Sequence, residues 1–447
     1  MERAALELID TGLQFVSSRG QLSQPSPGLA LIDGDEVAVG LDAECSARLN
    51  PRRLHSRFWQ ELSTAPLGRP FPGYLRKADL AHAHLKAVWD AVGGGQKEVI
   101  IAVPGIYSND QLGLLLGITR ELAIPVRGLI DAAVAAAADR EVEPHCLHLD
   151  LHLHRAVLTE LEHGEEIVRT AVHTEPRVGL LGLRDIWARV IAQTFVRATR
   201  FDPLHLAATE QVLYAQLTDY LEALAEHDST QVRIASGGRQ HAVGLDRTRI
   251  VDAAQSAYDI LTSLVSDHSH PEGATLLLSH RAAALPGLVD HLRKHSGLTA
   301  VVLHSAAAGG GALAHADRIR SPDSALPFVT RLPGFDARPP GPVTVPVAPP
   351  LGGARHLPTH LVMDGVAHRI ESDPLILGHT EMENGADINP QTATVRRLAG
   401  QVMLDAPAEA GVTVNGEQLE GKTALAPGDR LRLGISDREI LVVTMVE

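Results

Sequence analysis

Four histidines and one aspartate lie within ten residues of the segment PHCLHLDLHLHRAVL, Pro144 to Leu158. In a strand, successive side chains face opposite sides, so four leucines would share one face and four polar residues the other. The leucines are Leu147, Leu149, Leu151 and Leu153, and the polar residues are His148, Asp150, His152 and His154. Imidazoles beside a carboxylate are ordinary ligands of zinc or iron, so the polar face is a candidate metal site. Two other interpretations stay open: chance clustering among 23 histidines, and a polar face that lines a cleft.

The size and charge of the chain narrow the possible functions. With 447 residues, it exceeds the roughly 250 to 300 residues that one core supports, so more than one domain is expected. A formal charge of −14 argues against binding to nucleic acid or anionic membranes. No apolar run approaches the roughly 20 residues that span a bilayer, and the N-terminus lacks a signal-peptide pattern. Two cysteines, Cys45 and Cys146, provide no disulfide framework. We expect a cytoplasmic protein without membrane insertion.

The elements that must position the polar residues fall into two regions. Proline and glycine dominate residues 332–357, which predicts an extended linker. Short alternating segments with Asp-Gly and Asn-Gly turns follow, so residues 358–447 are predicted to form an all-β sandwich. In residues 1–331, strands such as EVIIAVPG alternate with helices such as NDQLGLLLGITRELAI, and one long helical region runs from about Leu181 to Ala225. This alternation predicts an α/β domain with its sheet covered on both faces.

The first region resembles the ATPase domain of the actin, heat-shock-chaperone and sugar-kinase superfamily over about Met1 to Ile319. In the segment VIIAVPGIYSNDQLGLLLGITRELAIPVRGLIDAAVAAAA, Asp131 takes the place of the acidic residue that opens the family's connecting helix. LELIDTGLQFV resembles the first phosphate hairpin through Asp10 and Gly12, and CLHLDLHLHRAVLTEL resembles the second through Asp150. The resemblance implies an actin-like fold of duplicated ribonuclease-H-like subdomains. It also implies ATP and Mg²⁺ as possible cofactors at these four residues.

The glycines of that family's phosphate loops are missing. His152, Leu153 and His154 stand where glycine would let backbone amides approach the nucleotide phosphates. At the adenosine motif, Ser279, His280 and Arg281 replace a Gly-Gly pair. The resemblance therefore predicts the fold without the ATPase chemistry, and no cofactor is assigned.

The last region resembles a forkhead-associated domain. The segment LILGHT matches a Gly-Arg strand end at Gly378 and His379, and the segment VTVNGEQLEGKTALAPGDRLRLG matches the family's Asn-Gly turn at Asn415 and Gly416. His379 replaces the arginine that reads phosphothreonine, while Val395 and Leu398 replace a serine and a histidine. Arg396 and Arg397 are predicted on a loop, where they would either substitute for the lost phosphate contacts or form a solvated surface. A protein contact that needs no phosphate is the expected role.

Three other segments carry weaker signals. SGGRQHAVG and SAAAGGGALAHA are rich in glycine but lack a full phosphate-loop spacing, and the second matches a helix start with a packing role. SDHSHPEG, with His268 and His270, is predicted to be a polar loop because no third metal ligand lies nearby in the sequence.

Three functions remain. The leading hypothesis is a non-catalytic scaffold or assembly factor that binds protein partners, partly through the forkhead-associated-like region. The first alternative is an actin-like or chaperone-like switch that binds ATP with Mg²⁺ at Asp10, Asp131 and Asp150. The second is a metal-binding protein that uses the histidine-rich strand.

Overall fold

A computed structural model describes residues 3–69, 71–73, 75–93, 98–138, 140–271, 273–321 and 327–334, together with the strands and short flanking segments between residues 360 and 443. The chain divides into two units, Met1–Leu351 and Gly352–Glu447. The larger unit is a mixed α/β structure, whereas the second is built from strands over its described residues. Within the described residues, no helix combines the length and apolar character that crossing a membrane requires.

The first half of the larger unit is built around a five-stranded sheet. Its elements are β1 (Arg3–Glu7), β2 (Gln14–Ser17), β3 (Ala30–Asp33), β4 (Glu36–Val39), α1 (Leu41–Glu44), β5 (Leu54–His55), α2 (Lys77–Ala91), β6 (Glu98–Val103), α3 (Asn109–Glu121), β7 (Val126–Asp131) and α4 (Ala132–Ala137). In the sheet, β1 pairs antiparallel with β2 and parallel with β6, and β6 pairs parallel with β7. Strands β3, β4 and β5 form a separate small sheet.

The second half is built around a six-stranded sheet. Its elements are β8 (His145–Leu151), β9 (Ala156–His163), β10 (Glu166–Glu175), α5 (Leu180–Thr199), α6 (Ala207–Glu226), β11 (Ser229–Ser236), β12 (Arg239–Asp246), α7 (Arg247–Asp267), β13 (Thr275–Leu278), α8 (His280–Ala283), α9 (Leu288–Ser296), β14 (Thr299–Val302), α10 (Ala307–Ala314), α11 (Ala316–Ile319), β15 (Phe328–Val329) and β16 (Arg331–Pro333). The strand order is β14-β13-β8-β9-β10-β16, and β15 joins the first sheet beside β7.

The two sheets repeat one arrangement. In each, an inner strand, β1 or β8, forms an antiparallel hairpin with the next strand in the chain. On its other side the inner strand pairs parallel with a later strand, and that strand pairs parallel with the one after it. The two hairpin turns, at residues 8–13 and 152–155, are therefore equivalent positions in the two halves.

The long helical region predicted from Leu181 to Ala225 is two helices, α5 and α6. Arg200 ends α5 in the left-handed conformation, with φ of 61°. Pro203 follows in the connection; proline provides no backbone donor, and it disfavours helical geometry in the residue before it. The predicted region is therefore helical over most of its length, with one break between the two helices.

Both glycine-rich segments have structural roles in the larger unit. Gly237 and Gly238 form the turn of the β11–β12 hairpin, with φ of 57° and 75°. Gly311 lies on α10 where this helix crosses α4, so close that a Cβ atom would overlap the backbone oxygen of Ala135. Small residues are required here because they let the two helices approach.

Tertiary packing holds one histidine uncharged inside the first half. His84 of α2 is fully buried; its Nδ1 accepts a hydrogen bond from Trp59 Nε1 at 2.9 Å, and its Nε2 lies 2.8 Å from Ser26 Oγ. Burial lowers the pKa of His84 to about 3. The ring is therefore a neutral bridge between α2 and the loops beside β2.

The second unit contains two antiparallel sheets. The first has the order β18-β17-β27-β26-β23-β24 and the second β20-β19-β21-β22-β25. The strands are β17 (His360–Met363), β18 (Val366–Arg369), β19 (Leu375–Leu377), β20 (Met382–Asn384), β21 (Ala393–Leu398), β22 (Gln401–Ala406), β23 (Val412–Val414), β24 (Glu417–Gln418), β25 (Gly421–Ala424), β26 (Arg430–Leu433) and β27 (Glu439–Val443). Inward residues of both sheets, including Leu361 and Leu404, form one hydrophobic cluster.

Arg396 and Arg397 lie within β21 and not on a loop. Their strand pairs with β22 in the register Arg396 to Met403 and Arg397 to Val402. The prediction of a loop was wrong because the run ATVRRL continues a paired strand through both arginines. Gly378, His379, Asn415 and Gly416 lie outside the described residues.

Candidate functional site

The two equivalent hairpin turns meet and are joined by hydrogen bonds. Asp10 Oδ1 accepts a hydrogen bond of 3.0 Å from the backbone N–H of Leu153, and it lies 3.1 Å from Nδ1 of His152. Thr11 Oγ1 donates to the backbone oxygen of Leu151 at 3.2 Å. Gly12 packs against Pro25, whose Cβ lies 2.9 Å from where a Cβ of residue 12 would be. His152 is itself buried at this junction, with 3 % of its surface exposed.

The charge of Asp10 is stabilised by these contacts. Burial alone would raise the pKa of Asp10, but the charge and hydrogen bond of His152 and the Leu153 N–H outweigh it and lower this pKa. The carboxylate is therefore ionised and already satisfied by protein groups.

Asp150 is held by Arg281, whose side chain is 15 % exposed. Arg281 donates from Nε and Nη2 to the two carboxylate oxygens of Asp150 at 3.1 and 3.0 Å. Its Nη1 lies 3.6 Å from Glu7 Oε2, and Glu7 Oε1 accepts from the backbone N–H of Gly309 at 2.7 Å. The arginine therefore connects β1, β8 and α8 at the interface between the two sheets.

The electrostatics of this group follow from burial and pairing. Burial opposes ionisation of Asp150, but Arg281 overcomes it and holds the pKa of Asp150 far below its usual range. Burial raises the pKa of Glu7, and the charge of Arg281 offsets this only in part. A planar guanidinium that meets a carboxylate through two parallel bonds is a strong, orientation-specific contact.

Asp131 serves as a helix cap and an ion-pair partner. Its Oδ1 accepts from the backbone N–H groups of Ala133 and Val134, which begins α4, and its Oδ2 lies 2.7 Å from Nη1 of Arg169. Burial raises the pKa of Asp131, although Arg169 acts against this shift. The three acids proposed to surround Mg²⁺ are thus each engaged by a different basic residue.

The remaining space is small. A cavity of about 10 Å³ lies beside Asp150 and Arg281, and His148 and Ser279 also line it. This volume is about that of one water molecule, whereas small-molecule sites measure about 300 to 1,000 Å³.

The predicted metal ligands are distributed among separate partners. As the alternation predicted, Leu147, Leu149 and Leu151 pack in the core, and His148 and Asp150 line the cavity. The strand ends at Leu151, however, because His152 donates its N–H to the backbone oxygen of Arg155 and closes a turn. His154 Nε2 lies 2.9 Å from Ser56 Oγ, away from the cavity. Burial lowers the pKa of His148 to about 4, so its ring is neutral.

Three of the residues that determine this site carried little signal in the sequence. Arg281 was noted only as a departure from a glycine pair, and neither Glu7 nor Arg169 was singled out. Each lies in an element whose pattern indicated only a strand or a short helix. Their roles depend on hydrogen bonds to residues that lie 38 to 302 positions away in the chain. The periodicity of a local segment does not reveal such distant contacts.

Comparisons with family profiles and with curated proteins found no match.

Proposed function

We propose that this protein is a non-catalytic scaffold or assembly factor. Its larger unit would be an actin-like fold of duplicated ribonuclease-H-like subdomains, in which the protein's own side chains fill the nucleotide cleft. The repeated strand arrangement of the two sheets supports the fold assignment. The equivalent hairpin turns correspond to the two phosphate hairpins of that superfamily.

One observation carries the functional part of the proposal: Arg281 contacts Asp150, and His152 contacts Asp10. In the proposed actin-like fold, phosphates and a hydrated cation would lie next to these two acids. A nucleotide would have to displace the Arg281–Asp150 ion pair and the Asp10–His152 contact, and separate the turns. Removing one member of such a pair costs about 3 to 5 kcal/mol, so competition from a ligand is strongly disfavoured.

The second unit supplies a protein-binding role in this proposal. Its two antiparallel sheets around one cluster agree with a forkhead-associated-like sandwich. Arg396 and Arg397 occupy strand positions, so phosphate recognition by a loop pair is not part of the proposal.

Calorimetric titration of the full chain with ATP and Mg²⁺, beside a thermal melt, tests the proposal. We expect neither saturable heat nor a shift in melting temperature at millimolar nucleotide. Stoichiometric binding that raises the melting temperature, and that Asp10→Ala abolishes, would instead establish the alternative of an Mg-ATP-dependent switch.

The protein-binding role needs its own experiment. Tagged full chain and tagged residues 1–357 would be isolated in parallel from the source cells. We expect a stoichiometric partner on the full chain that the shorter chain does not retain. Full chain that is isolated without any stoichiometric partner would contradict the scaffold role.

A further inference from the structure

A second cluster of ligand-type side chains lies on the outer part of the second half, away from the hairpin turns. Glu160 of β9, His173 of β10 and His268, which follows α7, each place one ligand atom within 4.8 Å of the other two. Glu160 Oε1 lies 2.7 Å from His173 Nε2 and 3.2 Å from His268 Nδ1. Among the described residues, no other group of three histidine, cysteine or acidic side chains meets this distance.

Ordered elements determine these positions. In the β9–β10 hairpin, His173 pairs with Leu158, two residues from Glu160, so the two polar residues are diagonal neighbours. The end of α7 is fixed by buried Leu261 and Val265. After the helix, Ser269 Oγ donates to the backbone oxygen of Val265 at 2.6 Å and holds the following turn in place.

The two imidazole rings of the cluster lie against each other. The rings of His173 and His268 stack with their centroids 3.5 Å apart and an interplanar angle of 20°. An imidazole nitrogen binds a metal ion along a direction in the plane of its ring, so two nearly parallel rings do not both point at one ion. Binding of an ion by both histidines therefore requires one ring to turn out of the stack.

We propose that Glu160, His173 and His268 bind a divalent transition-metal ion, with Zn²⁺ as the best fit. Two histidines and a glutamate form a recognised zinc ligand set that leaves one coordination position for water or another ligand. The three residues are between 28 % and 30 % exposed as side chains, which gives an ion a path from solvent. The ion would fasten the end of α7 to the β9–β10 hairpin.

A neighbouring histidine pair extends this imidazole-rich surface. His270 stacks on His145 of β8 with their centroids 3.5 Å apart. The loop that sequence analysis treated as polar thus presents two histidines, and each meets a histidine from the sheet. The loop supplies only His268 to the site; its two partners, Glu160 and His173, both lie more than 90 positions earlier in the chain.

Zinc titration of the full chain, after removal of metals with a chelator, tests the site. We expect one equivalent of Zn²⁺ to bind and to raise the melting temperature. His173→Gln and Glu160→Gln should each weaken binding by at least about 100-fold, because even residues outside the ligand shell often contribute 10- to 100-fold. His241→Gln is the matched control, since His241 lies on β12, where its ring stacks on that of Phe201 and is outside the cluster.

Visible absorption of bound Co²⁺ provides a second readout, because its intensity reports four-coordinate geometry. Glu160→Gln can keep hydrogen bonds to both rings, so it remains informative if His173→Gln does not fold. Equal affinity in the wild type, the two cluster variants and the control would overturn the proposal, as would wild-type protein that takes up no stoichiometric ion. The cluster would then be a carboxylate shared by two histidines.

Discussion

Replacing Arg281 with alanine is the most direct test of how the cleft is held together. In the folded protein, Arg281 contacts Asp150 through two bonds and lies near Glu7, and the side chains of these acids are 6 % and 1 % exposed. Arg281→Ala leaves the carboxylate of Asp150 buried without its cation. We expect the larger unit to lose about 3 to 5 kcal/mol of unfolding free energy at neutral pH.

The pH dependence distinguishes this mechanism from a general packing defect. Without Arg281, burial would raise the pKa of Asp150 above its unfolded value, so the variant regains stability as acid protonates this carboxyl group. In the wild type the pKa of Asp150 is depressed, and the stability it contributes is lost as pH falls. The difference between the two proteins should therefore shrink as pH falls: above about pH 4 because the variant gains stability, and below about pH 4 because the wild type loses it.

Urea unfolding followed by tryptophan fluorescence measures this difference. All three tryptophans, Trp59, Trp89 and Trp187, belong to the larger unit, so the signal is not mixed with unfolding of the second unit. Arg281→Ala combined with Asp150→Asn is the matched control, and it should recover part of the loss. A loss below about 1 kcal/mol, or one that is constant from pH 7 to 4, would refute the reasoning.

Two further predictions concern packing in the larger unit. The folded state keeps His84 neutral down to about pH 3, whereas the unfolded chain takes up its proton near pH 6.5. As pH falls through this window, the free energy of unfolding should therefore decrease by about 1.4 kcal/mol for each pH unit. Urea titrations at several pH values measure this slope, and His84→Gln should make it flatter. Gly311→Ala should cost about 1 to 3 kcal/mol because its Cβ would overlap Ala135. In the same melts, Gly310→Ala should not destabilise the protein, since that position faces open space; equal effects at both glycines would contradict this explanation.

The local pattern of apolar residues predicted those strands and helices in which a single periodicity dominates. The strand at Glu98–Val103 and the helix at Asn109–Glu121 both lie where the sequence places them. In the helix, Ser108 and Gln111 form a reciprocal capping box, a signal that can be read within four residues. The break between α5 and α6 was missed because the apolar pattern resumes with helical spacing after Pro203.

The site could be predicted only in part. The alternation in β8 correctly separated Leu149 from His148 and Asp150, because strand geometry fixes which residues share a face. It did not show that the strand ends at Leu151, or that Arg281 would reach Asp150. The sequence also gave His268 no third ligand, since Glu160 approaches it only through the packing of α7 on the sheet.

The order in which the strands of the first sheet are synthesised has a consequence for how the protein is made. Glu7 accepts its hydrogen bond from Gly309, 302 positions later in the chain, and β15 completes the sheet beside β7. At roughly 5 to 20 residues per second, the ribosome takes about 15 to 60 seconds to supply those partners. During that interval the alanine-rich face of α4 lacks α10, which covers it in the finished protein. The first half therefore stays incomplete on the ribosome until the second half has emerged.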